Sequence, residues 1–230
     1  MSNKNPYNIC TWNEESACVE CDLQGKLGCR LDTREFRFFV LNQIPSLVIV
    51  SFGLVLIGLI TGAWWPLIAW AIVCIALWGA GVETRLLCSH CPYWAEDSKT
   101  LHCWALTGSP KLWRYRPEPM NKLEKTVLSL FFSFVLVFPV LAEAYGIWFI
   151  SVSYAEFGLY ALLGIIGITL ATILTTFQFL YILVHDFCSK CVNFSCPSNQ
   201  VPRVVVDEYL EKNPVMREAW QRSGYKLGER

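Results

Sequence analysis

Four apolar stretches, each long enough to cross a bilayer, constrain this 230-residue chain more than any other feature. A helix rising 1.5 Å per residue needs about 20 residues to traverse ~30 Å of hydrocarbon. The first stretch runs roughly from Phe38 to Ile60 and meets the turn Thr61-Gly62-Ala63-Trp64-Trp65-Pro66, which carries two tryptophans suited to a membrane interface. The second covers about Leu67 to Val82, reaching back to Trp64; the third runs about Val127 to Ile150 and the fourth about Leu159 to Val184. The stretches lack the polar stripe that a helix on the surface of a soluble protein presents. Composition agrees: 17% of the residues are charged, against about 25% in soluble domains. The expected fold is an all-α integral membrane protein with four transmembrane helices in two hairpins. It divides into an amino-terminal segment (1–37), a hairpin (38–84), a loop (85–126), a second hairpin (127–184) and a tail (185–230).

Four crossings would leave both termini and the central loop on one side. Lys and Arg number five in residues 1–37, seven in 83–126 and seven in 185–230, which accounts for all nineteen. The loops around Thr61–Pro66 and Ser151–Gly158 contain none. Cytoplasmic loops carry such an excess, so a multi-pass protein of the cell membrane with both termini cytoplasmic is expected. Met1 to Asp32 is polar, without the apolar core of a cleavable signal peptide, so insertion is expected to rely on the internal spans. A formal net charge of zero argues against a nucleic-acid partner.

The same division sorts the eleven cysteines. Cys10, Cys18, Cys21 and Cys29 precede the first span, Cys88, Cys91 and Cys103 lie in the central loop, and Cys188, Cys191 and Cys196 follow the fourth span. Only Cys74 falls inside a span, where a small apolar thiol needs no further role. A reducing cytoplasm disfavours disulfides, so the other ten read as metal ligands or redox centres, with metal favoured. The spacing Cys10-x7-Cys18-x2-Cys21-x7-Cys29 offers four thiols to one ion or cluster, the short loop turning the inner pair toward one point. The remaining six suit either one four-thiol site with two spare thiols or two three-thiol sites completed from elsewhere, with His90 and His102 as candidate fourth ligands.

Cys88-Ser89-His90-Cys91 and Cys188-Ser189-Lys190-Cys191 share three of four positions, and each follows a hairpin. A parallel internal repeat would set two such knuckles at one depth. None of the three Cys-x2-Cys pairs is followed by the glycine that assists zinc knuckles; the next residues are Asp22, Pro92 and Val192. Cys91-Pro92 and Cys196-Pro197 instead match the Cys-Pro ending of ferredoxin-type motifs, which favours iron–sulfur, a [4Fe–4S] cluster, over zinc. The placement of Cys-Pro elements after membrane hairpins resembles that in membrane quinol dehydrogenases. The tandem Cys-x2-Cys-x2-Cys-x3-Cys-Pro run of that group is absent, and no residue role is carried over.

The spans lack paired histidines, which excludes a b-type haem held between helices. Glu143 is the clear ionisable residue within a span, read as a carboxylate reaching the outer headgroups or as a group with a proton or quinone role. Asn42, Gln43 and Gln178 are expected to hydrogen-bond between helices, and Gly158, Gly164 and Gly167 to permit close helix approach. In the tail, two short amphipathic helices are predicted, with Asn213 capping the second and Val205, Tyr209, Leu210, Met216, Ala219 and Trp220 covering the cysteines, the favoured reading, or docking a partner. No nucleotide loop, Ser-His-Asp order or HExxH is present, so the chain reads as a subunit or electron carrier and not as an enzyme by itself. The expected function is electron transfer between a cytoplasmic or membrane redox partner protein and the membrane, with a quinone as membrane-phase partner. The alternative is a zinc-stabilised membrane scaffold without redox activity, and a thiol sensor or metal transporter stands third.

Overall fold

Apolar runs of this length satisfy their backbone internally as helices, and the computed structural model, which describes residues 5–13 and 18–229, is helical with no strand among those residues. In chain order the helices are α1 (Thr33–Thr61), α2 (Trp65–Cys74), α3 (Val82–Leu86), α4 (Lys122–Val152), α5 (Tyr154–Ile182), α6 (Arg203–Glu211) and α7 (Pro214–Arg222). A π-helical turn extends α2 over Ile75–Gly79, and another extends α5 over Leu183–Cys188. Three helices are long and apolar enough to cross a membrane: α1, α4 and the run from Tyr154 to Cys188. The second predicted span is broken. Trp65–Gly79 qualifies as a fourth only together with Val82–His90, from which it is bent by 46°. The break sits at Gly81, whose φ of +76° is left-handed and open to glycine at little cost.

The chain forms two compact units, each assembled from separate stretches of sequence. One comprises residues 40–80 and 129–182, the greater part of the apolar helices. Its polarity is inverted relative to a soluble bundle. Leu41, Leu59, Ile72, Leu141, Leu174 and Phe177 are exposed, while Asn42, Glu143, Thr169, Thr172 and Thr176 are buried. Apolar exteriors of this kind suit a lipid environment. Ser46 of α1 and Thr176 of α5 share an inter-helix hydrogen bond at 3.2 Å, whereas Gln178 is exposed.

Close approach in this unit uses different glycines from those the sequence suggested. Gly158, Gly164 and Gly167 have open space around them. A Cβ at Gly53 would instead lie 2.0 Å from the Glu143 carboxyl, one at Gly146 would lie 2.1 Å from Ile57, and one at Gly58 would strike the Trp64 ring at 2.6 Å. Pro139 lies inside α4, where its missing N–H leaves the carbonyl of Val135 without a helical donor. The Trp70 indole Nε1 of α2 supplies that hydrogen bond at 3.1 Å, and Trp70 packs with Val50, Leu54 and Ala142.

The other unit joins residues 1–39, 81–128 and 183–230, and it holds every cysteine except Cys74. Its segments are bound to one another by backbone and side-chain hydrogen bonds. Gly28 N–H donates to Lys190 O at 2.8 Å, Trp12 Nε1 to Pro92 O at 2.9 Å, and Asn193 Nδ2 to Leu87 O at 3.0 Å. Rings of Phe39, Trp104 and Phe187, one from each segment, pack together, the last two stacked at 4.7 Å. Within this unit α4 begins with a reciprocal cap: Asn121 Oδ1 accepts from Glu124 N–H at 2.8 Å, and Glu124 Oε2 accepts from Asn121 N–H at 3.0 Å. The tail forms the two predicted helices, burying Val206, Tyr209 and Leu210 from α6 and Met216, Ala219 and Trp220 from α7.

Candidate metal centre

All eleven cysteines are free thiols. Two of the three Cys-x2-Cys pairs sit where a helical run ends. At the first knuckle His90 N–H donates to Leu87 O at 3.2 Å and Ser89 Oγ to Arg85 O at 2.7 Å. At the second, Lys190 N–H donates to Phe187 O at 3.1 Å and Ser189 Oγ to His185 O at 2.5 Å. The shared Cys-Ser-x-Cys sequence thus repeats two hydrogen bonds, the serine in each case closing back onto the preceding turn, but Cys91 N–H closes onto Cys88 O whereas Cys188 O accepts from Gln200.

The amino-terminal four form one electrostatic neighbourhood. Burial pushes the Cys29 thiol up to about 12, and the proximity of Cys10, Cys21 and Cys18 adds to the effect. Burial also raises Cys10, Asn213 and Tyr209 oppose it through hydrogen bonds, and Cys21 and Cys18 push it higher. Asn213 grips Cys10 twice: its Oδ1 accepts the Cys10 N–H at 2.7 Å and its Nδ2 donates to Cys10 Sγ at 3.2 Å. The Nδ2 also donates to Tyr209 O at 2.7 Å, while the Tyr209 hydroxyl pairs with Thr11 Oγ1 at 2.9 Å. Asn213 therefore makes no side-chain cap for α7, contrary to the sequence expectation; its amide is committed to the thiol segment. Arg30 reaches Cys18 Sγ at 3.4 Å.

The other six thiols form a second neighbourhood, more deeply buried. Cys88 lies within electrostatic reach of Cys103, Cys91 and Cys191, and Cys191 within reach of Cys91, Cys196 and Cys188. Both knuckles therefore share one group with Cys103 and Cys196. Burial is the main cause that raises the thiols of Cys91, Cys103, Cys191 and Cys196, and each is opposed by backbone amides that hydrogen-bond its sulfur. The donors are Tyr93 for Cys91, Asn193 for Cys191, Leu106 and Ala105 for Cys103, and Ser198 and Asn199 for Cys196. The Leu106 N–H lies 3.1 Å from Cys103 Sγ. Amides two or three residues beyond a cysteine and aimed at its sulfur stabilise the negative form, the one a metal binds. Asn199 secures the second knuckle further, its Nδ2 donating to Cys191 O at 2.7 Å.

Tyr93 connects the two groups. It directly follows the Cys91-Pro92 element, its hydroxyl donates to Gly28 O beside Cys29, and it lies within electrostatic reach of Cys91, Cys191, Cys103 and Cys29. His90 and His102 pair with oxygen groups. His90 Nδ1 contacts Glu118 O at 2.5 Å and its Nε2 faces Glu124 at 3.4 Å, a carboxylate that Arg116 also binds. His102 Nδ1 pairs with Glu96 at 2.7 Å. Neither completes a thiol site. Among the described residues no three Cys, His, Asp or Glu side chains close around a point as a coordination shell does, so the thiols are neighbours and not a finished cage.

Protein-family models, curated proteins and solved structures give no match to this chain. The site must be read from its own chemistry. Cys74 keeps the bland role assigned from sequence, packing against the cluster of Val50, Leu54, Trp70 and Ala142. Sequence reasoning missed Tyr93, Asn193, Asn199 and Asn213, because polar residues outside a cysteine motif carry no signal of being folded back onto it. At Asn213 the local signal even pointed elsewhere, to a helix cap.

Proposed function

We propose that this is a polytopic membrane protein that carries thiolate-bound iron–sulfur clusters at its cytoplasmic side and passes electrons between a cytoplasmic or membrane redox partner protein and the membrane, with a quinone as acceptor or donor there. The supporting observation is the gathering of ten thiols into two adjacent groups with amide donors already directed at the sulfurs. Cys10, Cys18, Cys21 and Cys29 would hold one [4Fe–4S] cluster. Cys88, Cys91, Cys103, Cys188, Cys191 and Cys196 supply ligands for a second. Such a cluster, when bound, is a one-electron carrier. The chain's own contribution is to bury the sulfurs, to set their potential through N–H groups and burial, and to hold the two groups together through Tyr93.

What supports four crossings is the connectivity within the cysteine-bearing unit. Trp12 and Gly28 hydrogen-bond to Pro92 and Tyr93, and Gly28 also to Lys190. A bilayer would separate these partners unless an even number of helices lay between them. The bent run from Trp65 to His90 therefore returns the chain, and the nineteen Lys and Arg, all in this unit, favour the cytoplasmic face for it.

A second reading has its own support. The hydrogen bonds that fasten Gly28 to Lys190 and Asn193 to Leu87 draw three loop segments together, which is the task of a structural zinc. Anaerobic purification followed by metal and sulfide analysis with EPR separates the two. Iron with acid-labile sulfide and a reducible EPR signal is the expected result; stoichiometric zinc without iron would remove electron transfer and leave the staple.

A further inference from the structure

Glu143 lies in the second half of α4 and is fully buried, not extended toward headgroups. Thr172 of α5 donates to its Oε1 at 2.8 Å. Its Oε2 accepts no well-formed hydrogen bond: the Thr169 hydroxyl faces the carboxyl but is turned to Ile165 O at 2.9 Å. On the α1 side the carboxyl occupies the space that a side chain at Gly53 would need, 2.0 Å from where a Cβ would stand. Three helices are thus shaped around one carboxyl. The groups facing it from α1 and α5 are Gly53, Ile168, Thr169 and Thr172, none of them charged. This unit contains no Lys, Arg or His; its only other carboxylate, Glu156, is exposed near the start of α5, and its one thiol, Cys74, packs in the apolar layer next to Ala142.

A carboxylate with one hydrogen bond and no countercharge is costly in an apolar interior, and such a group sheds its charge by binding a cation. The simplest cation that fits between an unoccupied carboxyl oxygen and aliphatic walls is a proton. We propose that Glu143 is a proton-binding site of the helical bundle, a neutral carboxylic acid held by the Thr172 hydroxyl in the Gly53 recess. This assignment is independent of the metal reading. It gives the bundle one group able to donate or accept a proton away from bulk water.

The test uses the full-length protein in lipid vesicles. Infrared difference spectra of wild type against Glu143→Gln at neutral pH are expected to show one non-ionised carboxyl carbonyl band that only the wild type has. Thr172→Val should shift that band to higher frequency by removing its hydrogen bond. Dicyclohexylcarbodiimide should label Glu143 and not Glu156. In that reaction the acid proton passes to a carbodiimide nitrogen while the carboxyl oxygen adds to its central carbon, so the peptide gains one whole reagent mass. A carboxylate band in place of the acid band overturns the proposal. So does labelling that sodium or calcium blocks at constant pH, which would make the ligand a metal cation, or an acid band that Thr172→Val leaves unmoved.

Discussion

The side chain of Asn213 makes three hydrogen bonds, two of them to Cys10, at zero exposure. Removing a buried amide that satisfies several partners leaves donors and acceptors orphaned, at about 1–3 kcal/mol. A group one step behind a metal ligand also sets affinity, typically by about 10- to 100-fold. Asn213→Ala is therefore expected to weaken metal binding at the amino-terminal group by about tenfold or more while leaving the other group loaded, read by metal titration of the apoprotein. Cys21→Ser should remove one cluster's EPR signal and Cys191→Ser the other; loss of both signals from either change would mean that the ten thiols build a single centre. Acid also acts at this scale. Burial raises the thiols of Cys29, Cys91, Cys103, Cys191 and Cys196, and a thiol must lose its proton to ligate, so affinity should rise with pH and proton release should accompany uptake, measurable by calorimetry in buffers of different ionisation enthalpy. The sign for the metal-free fold is opposite. A thiol such as Cys29, raised to about 12, contributes stability below the ordinary thiol range that is lost as the pH climbs toward that value.

At the level of helices, the length and apolarity of α1, α4 and α5 were legible because burial in lipid requires little beyond hydropathy, and their ends fall within a few residues of the expected ones. The break after α2 was not, because a single Gly81 in an apolar run looks the same whether it continues the helix or turns it. The contact glycines were misread for a similar reason: small residues recur along α5, but which face they occupy depends on a partner that only the fold supplies. The hydrogen bond from Trp70 to the Val135 carbonyl that Pro139 leaves free spans 65 residues and was equally hidden. It makes a specific claim. Trp70→Phe keeps a ring in the Val50–Leu54–Ala142 cluster but strips the donor from Val135 O, so it should destabilise the bundle by about 1–3 kcal/mol in detergent unfolding, whereas Trp65→Phe, on an exposed ring, should change little.

Across the whole molecule, the cysteine spacing already set the amino-terminal four apart from the other six, but it left open whether the two later knuckles share one group. The fold brings the two knuckles together with Cys103 and Cys196, and contacts such as Gly28 to Lys190 fasten the amino-terminal segment beside them. Topology is tested by reporter fusions: a fusion after Arg230 and one within the loop at Gly108 should both report cytoplasm, and one at Gly62 the opposite side; a Gly62 fusion that reports cytoplasm would defeat the four-crossing reading. The bond from Cys10 to Asn213 spans 203 residues of sequence. When the ribosome has made the first four thiols, the amide that steadies Cys10 has not been translated, and it emerges only after every apolar helix. A polypeptide cut short before Asn213 is therefore expected to leave its first four cysteines more open to oxidation than the longer chain does, read by thiol labelling.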